Sequence, residues 1–202
     1  MNEIFLVARR DYLAYIGTWG FWLSVFLAPV IIGVLMFAPL MLARAEPPRV
    51  LAVIAEQSQD ATIVTNAFRE MARRDARTEI SAYLQAAAPP LAQDGLRAFD
   101  NAPDRAAGIA AARAVVAERL PQALRAFPAP SPRYILVDPP SQNIHELRGY
   151  LDGTQTLADG RAVYGALNIR REAGEPVIEY WSVNLSHEEP SNIARGALRL
   201  AM

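Results

Sequence analysis

The only two histidines of this 202-residue chain both sit beside carboxylates. His145-Glu146-Leu147-Arg148-Gly149 begins as the helical zinc motif H-E-x-x-H does, in which two histidines one turn apart hold the metal. Gly149 stands where the second histidine belongs, so the second ligand on that helix face is missing. His187-Glu188-Glu189 sets a histidine next to two carboxylates, but adjacent residues do not share a face, and no second histidine is near in sequence. Both histidines read as solvated surface groups. Asp152-Gly153 and Asp159-Gly160 lack the alternating carboxylates of a calcium loop and read as turns or helix ends. There is no G-x-S-x-G elbow and no glycine-rich loop after a strand. The sequence nominates no catalytic, cofactor-binding or metal-ligating residue.

Composition removes further chemistries. There is no cysteine, hence no disulfide framework, thiol nucleophile or thiolate metal site. All 20 basic residues are arginine. Without lysine the chain has no Walker A phosphate loop, no Schiff-base amine and no S-x-x-K nucleophile. It cannot hydrolyse ATP by the phosphate-loop route. A formal net charge of −1 gives nucleic acid no basic surface to bind. The uniform use of arginine, with abundant alanine, fits a GC-rich bacterial genome.

The positioning elements begin with an uncharged run. No charge occurs from Tyr12 to Ala43, and Gly20–Ala43 is almost wholly apolar. A spanning helix needs about 20 such residues, and this run at ~1.5 Å rise is long enough to cross with some tilt. Pro29 and Pro39 are compatible with a span that bends and packs against neighbours. A cleaved signal is the competing reading. Arg9-Arg10 loosely resembles a twin-arginine signal, and Ala43-Arg44-Ala45 a small-x-small cleavage site. Secretory apolar cores run only about 7–15 residues, however, and rarely carry Phe21, Trp22, Phe26 and Phe37 together. Residues 18–45 are therefore expected to be a transmembrane helix, with residues 1–17 a juxtamembrane helix before it. Arginines flank the span equally, Arg9 and Arg10 before, Arg44 and Arg49 after. The free amino terminus tips the orientation towards a cytoplasmic N-terminus.

Residues 46–202 are expected to form one extracytoplasmic α+β domain around a single core. Glu46-Pro47-Pro48 is a stiff connector. Val50–Ala55 reads as a buried strand, and Asp60 as the cap of a helix to about Arg74. Thr78–Leu84 alternates as a second strand, and Ala86–Pro90 breaks it. Asp104–Phe127 reads as an alanine-rich helix kinked or ended by Pro121. Phe127–Pro132 is an extended linker, and Tyr134–Val137 a short strand. A helix is expected from Ser141 or Asn143 to near Gly160. Ala162–Ile169 and Val177–Val183 form a hairpin about the polar residues 170–176. Pro190 and Ser191 open a last helix.

The N-terminal segment resembles the opening of ABC type-2 transporter permeases, in particular their NatB-like, sodium-exporter branch. The resemblance is carried by Arg10-Asp11, by Gly20-Phe21-Trp22 and by Pro29 within the apolar span. It continues through the strand Val50–Ala55, the paired strands Ala162–Ile169 and Val177–Asn184, and the helix from Ser191. Such permeases continue into several further membrane helices, which these 202 residues do not reach. The resemblance implies the membrane subunit of an ATP-driven exporter, or its N-terminal portion, in a bacterial inner membrane. It implies no enzymatic activity and no cofactor of its own, a separate ABC ATPase, a second permease copy or paralogue, and the lipid bilayer as partners. It also makes Arg9 and Arg10 the expected contact with that ATPase. The alternatives are a signal-anchored extracytoplasmic binding module and an exported enzyme.

Overall fold

The computed structural model describes residues 18–23, 25–27, 29–32, 47–183 and 188–201. The chain divides into two compact units, Met1–Pro47 and Pro48–Met202. In the first, the described residues 19–23, 25–27 and 29–32 are helical. Among the described residues no helix is long and apolar enough to cross a membrane. The span expected over 18–45 is thus not shown; its positions 24, 28 and 33–45 lie outside the described residues, as do the expected helix 1–17 and Arg9 and Arg10.

The second unit is a mixed α/β domain. Among its described residues are four strands, β1 (Arg49–Ala55), β2 (Tyr134–Val137), β3 (Gly165–Glu172) and β4 (Glu175–Ser182). They lie in the order β2-β1-β3-β4. β1 runs parallel to both neighbours, and β3 pairs with β4 antiparallel. Parallel neighbours need long crossovers. The first is made by α1 (Ser58–Ala87), α2 (Ala92–Asp100) and α3 (Arg105–Arg119). The second passes through a 3-10 turn at Ile144–Leu147 and the single turn α4 (Arg148–Leu151). Helix α5 (Glu189–Leu200) closes the described chain.

Successive strand residues face opposite sides of the sheet. Leu51, Leu167 and Ile169 face α1 and α5, packing on Val64, Phe68, Ala194 and Leu198. Ala52, Ile54 and Ala166 face the other way, under Ile144, Leu147 and Val163. A third cluster contains no strand residue at all: Ile80, Leu84, Phe99, Ala112 and Val116 join α1, α2 and α3. The single core expected from sequence is therefore three clusters.

Helix α1 explains why. Its buried positions are Asp60, Val64, Phe68, Ala72, Ala76, Ile80 and Leu84, one every fourth residue. A helix turns once per 3.6 residues, so a stripe of period four winds by roughly 40° per step. Its first half faces the sheet and its second half faces α2 and α3. This corrects the strand expected at Thr78–Leu84, whose apolar Ile80 and Leu84 are one turn apart on that stripe. Helix α2, which no sequence signal marked, docks there through Phe99 and Gly95. Other elements lie close to expectation. Asp104 caps α3 by accepting from the Ala107 amide at 2.8 Å, and the helix ends before Pro121. The helix expected from Ser141 or Asn143 to near Gly160 is shorter, a 3-10 turn at Ile144–Leu147 and one α turn that gives way to turns after Leu151. The hairpin loop is tighter than the polar stretch suggested: Glu172 pairs with Glu175, leaving Ala173 and Gly174 between them, both at positive φ. Two positive-φ residues are what a hairpin turn twisted to match its strands requires.

Candidate functional site

In open α/β sheets the usual ligand crevice lies beyond the carboxyl ends of the strands, where the chain's crossovers diverge. Here that place is next to Ala55 and Ile169, at the start of α1, and side chains fill it. Asp60, 1 % exposed, accepts from Arg171 Nε at 2.9 Å and Nη2 at 2.8 Å. Glu56 Oε2 accepts the Arg171 amide at 3.0 Å. The two hydrogen bonds from Arg171 hold the Asp60 carboxyl below its ordinary range against the opposing effect of burial. The first turn of α1 thus carries a carboxylate of the chain itself, paired with arginine.

The residues singled out by sequence do not converge. His145 lies edge-to-face on Trp181, with ring centres 5.4 Å apart. Its neighbour Glu146 accepts from the Ser141 hydroxyl at 2.6 Å. His187 lies outside the described residues. Glu189, two residues on, accepts the Tyr134 hydroxyl at 2.7 Å and Arg133 Nη1 at 3.0 Å. Burial, and then Glu189, push the Tyr134 phenol well above its usual range. Asp152 and Asp159 accept from Thr154 and Arg161, two residues on, in turns closed by Gly153 and Gly160 at positive φ. No group of three or more metal-ligating side chains occurs among the described residues.

Space is found instead along the two sheet edges. A cleft of ≈ 500 Å³ beside the end of β4 is lined by His145, Arg148, Trp181 and Val183. The larger, ≈ 1040 Å³, runs along β2, between that strand, the first half of α1 and the start of α3. Its strand side is formed by Val53 and by Tyr134, Ile135, Leu136 and Val137. The Arg49 amide donates to the Arg133 carbonyl at 2.8 Å. Alternation along the strand then turns the peptide groups of residues 133, 135 and 137 towards β1 and those of Tyr134 and Leu136 outwards. Among the described residues no strand lies beyond β2 and no backbone group bonds those outward groups.

The helix side of the cleft carries arginines. Arg73 is spent on structure: its guanidinium donates to the carbonyls of Asp100 at 2.9 Å and Ala102 at 2.8 Å, capping the end of α2. Arg69, exposed, donates a long bond to Asn66 Oδ1 at 3.4 Å. Arg105 donates through Nη2 to the Pro130 carbonyl, while its Nε is buried without a partner among the described residues. Burial depresses its pKa, opposed by the charge of Glu79. Sequence reasoning missed this site. An arginine on α1, another opening α3 and an unpaired edge strand share no spacing, and only the fold brings them together.

No protein family, curated protein or solved structure matches this chain.

Proposed function

We propose that the chain is a membrane-anchored portion of the permease of an ATP-driven ABC exporter, with Pro48–Met202 its extracytoplasmic domain. One observation carries the anchoring. In the first unit Trp19, Trp22, Leu23, Val25, Phe26, Leu27, Val30, Ile31 and Ile32 are all exposed. At about 100° per residue these positions spread over roughly 260° of a helix circumference, and the partly exposed Phe21 falls in the remaining arc. A protein groove covers one stripe of a helix; a surface apolar on every side suits hydrocarbon. The uncharged run Tyr12–Ala43 extends that apolar character to the length a bilayer requires. The permease assignment rests on the resemblance of Arg10-Asp11, Gly20-Phe21-Trp22 and Pro29 to type-2 permeases. Transport itself then needs further membrane helices and a separate ATPase.

The test is affinity purification of the tagged chain from its native membranes in mild detergent. An ATP-binding-cassette ATPase should co-purify, and the double variant Arg9→Glu/Arg10→Glu should lose most of it while staying in the membrane. Recovery without any ATPase would reject the permease reading. Retention of the ATPase by the double variant would reject only the Arg9 and Arg10 contact.

The second reading, an anchored binding module, is favoured by the course of α5. Glu189, at its start, meets Tyr134 and Arg133 near the entry of β1, whereas Leu198 lies beside Glu175–Ile178 at the opposite end of the sheet. The helix carries the chain away from the point where the connector enters.

A further inference from the structure

The outer edge of β2 combines an unpaired backbone with a roofed cleft, and that combination specifies a kind of ligand. An exposed edge presents N–H and C=O groups that template another strand. Proteins commonly blunt such edges with charge or proline inside the strand, but β2 is Tyr134-Ile135-Leu136-Val137, with neither. Prolines stand just outside it instead, at Pro130, Pro132, Pro139 and Pro140. Lacking an N–H, they confine pairing to the strand itself. The cleft beside it, ≈ 1040 Å³, leaves room for an added strand beneath α1 and the start of α3.

Charge selects among occupants. Of the basic groups lining the cleft, Arg69 has no carboxylate bonded to it and Arg105 keeps a buried Nε–H without a partner, among the described residues. Of the acidic groups there, Asp104 caps α3, Glu70 pairs with Arg74 at 3.4 Å, and Asp138 stands past the carboxyl end of β2, whereas Arg105 is bonded at Pro130, before the strand begins. Antiparallel pairing of two β2 edges about a two-fold axis would bring Arg69 and Arg105 of both copies to the same side of the joined sheet, like charge against like. A second copy of this chain is therefore disfavoured as the occupant.

We propose that the β2 edge is a strand-addition site for an extended acidic segment of a partner protein. The segment's main chain pairs with the outward peptide groups of Tyr134 and Leu136, and an acidic side chain lies against Arg69 and Arg105. In such recognition main-chain bonds supply affinity and alternate side chains supply specificity. The proposal applies equally to a permease domain and to an anchored module.

The test uses the full chain in nonionic detergent and fluorescein-labelled, end-capped hexapeptides alternating valine with glutamate or with lysine. The glutamate peptide should bind, and amide exchange should slow at Leu136. N-methylation of every second peptide amide should weaken binding about tenfold or more, as loss of paired backbone donors requires. Because it leaves the protein untouched, that comparison stands even if a variant misfolds. Leu136→Pro removes an outward donor without touching the β1 ladder, and should also abolish binding. Arg69→Glu, at an exposed position, should reverse the preference towards the lysine peptide. Equal binding of both peptides, indifference to N-methylation, or no binding at millimolar peptide would each overturn the proposal. Protection of Leu136 that rises with protein concentration in the absence of peptide would make a second copy the occupant, and overturn it as well.

Discussion

Asp60 is the residue whose environment departs furthest from expectation. Read as a helix cap, it is instead a buried carboxylate held by an arginine 111 residues away. Arg171 keeps partial access to water, its side chain 30 % exposed, so removing the acid and removing the base are not equivalent. Asp60→Asn leaves a cation that water can reach, and should cost about 1.5–3 kcal/mol, the worth of charged hydrogen bonds. Arg171→Met strands a buried anion and should cost more, about 3–5 kcal/mol. Since the folded state lowers the Asp60 pKa from 3.8, the pair stabilises the protein above about pH 4 and ceases to do so as pH falls through the depressed value. Denaturation midpoints of the parent and Asp60→Asn should thus lie well apart at pH 7 and draw together towards pH 3. A gap independent of pH would mean that packing rather than charge holds this end of α1.

At the scale of elements, the helical extension beyond the sheet depends on one close approach. A Cβ built on Gly108 of α3 would lie 2.8 Å from Phe99 Cδ2 and 3.1 Å from the Phe99 carbonyl oxygen. The ring is fully buried and the carbonyl belongs to α2, so neither can easily give way. Gly108→Ala should therefore destabilise by about 1–3 kcal/mol through overpacking, despite alanine's higher helix propensity. A raised melting temperature would show that α2 and α3 can separate without loss. The same contact explains why α2 escaped notice: its nine residues form a helix because Phe99 and Gly95 find α1 and α3, not because a cap or long periodicity announces it.

At the scale of the whole molecule, anchoring is the claim with the widest consequences. If hydrocarbon surrounds residues 19–32, a charge near the middle of the apolar run opposes insertion. Exchanging Ile31 for arginine should disfavour the membrane-integrated state by about 3 kcal/mol or more. Alkaline carbonate extraction measures this directly: the parent should stay with the membrane pellet and Ile31→Arg should be partly released. Release of the parent would remove the anchor from the functional proposal, while leaving the edge-strand site of the second unit as it stands.

The sequence by itself determined where composition changes and which local patterns repeat. An uncharged run needs no fold to be recognised, and neither do the strand Val50–Ala55, the cap at Asp104, the stop at Pro121 and the proline brackets around β2. Each is a property of neighbouring residues. Tertiary structure alone decided that Thr78–Leu84 is helix, because alternation over seven residues is indistinguishable from part of a winding four-residue stripe until the partners on both sides are known. It alone placed Arg171 on Asp60 and made β2 an edge strand beside Arg69 and Arg105. Strand order and long-range ion pairing are set by which surfaces bury each other after collapse, and no local spacing encodes that choice.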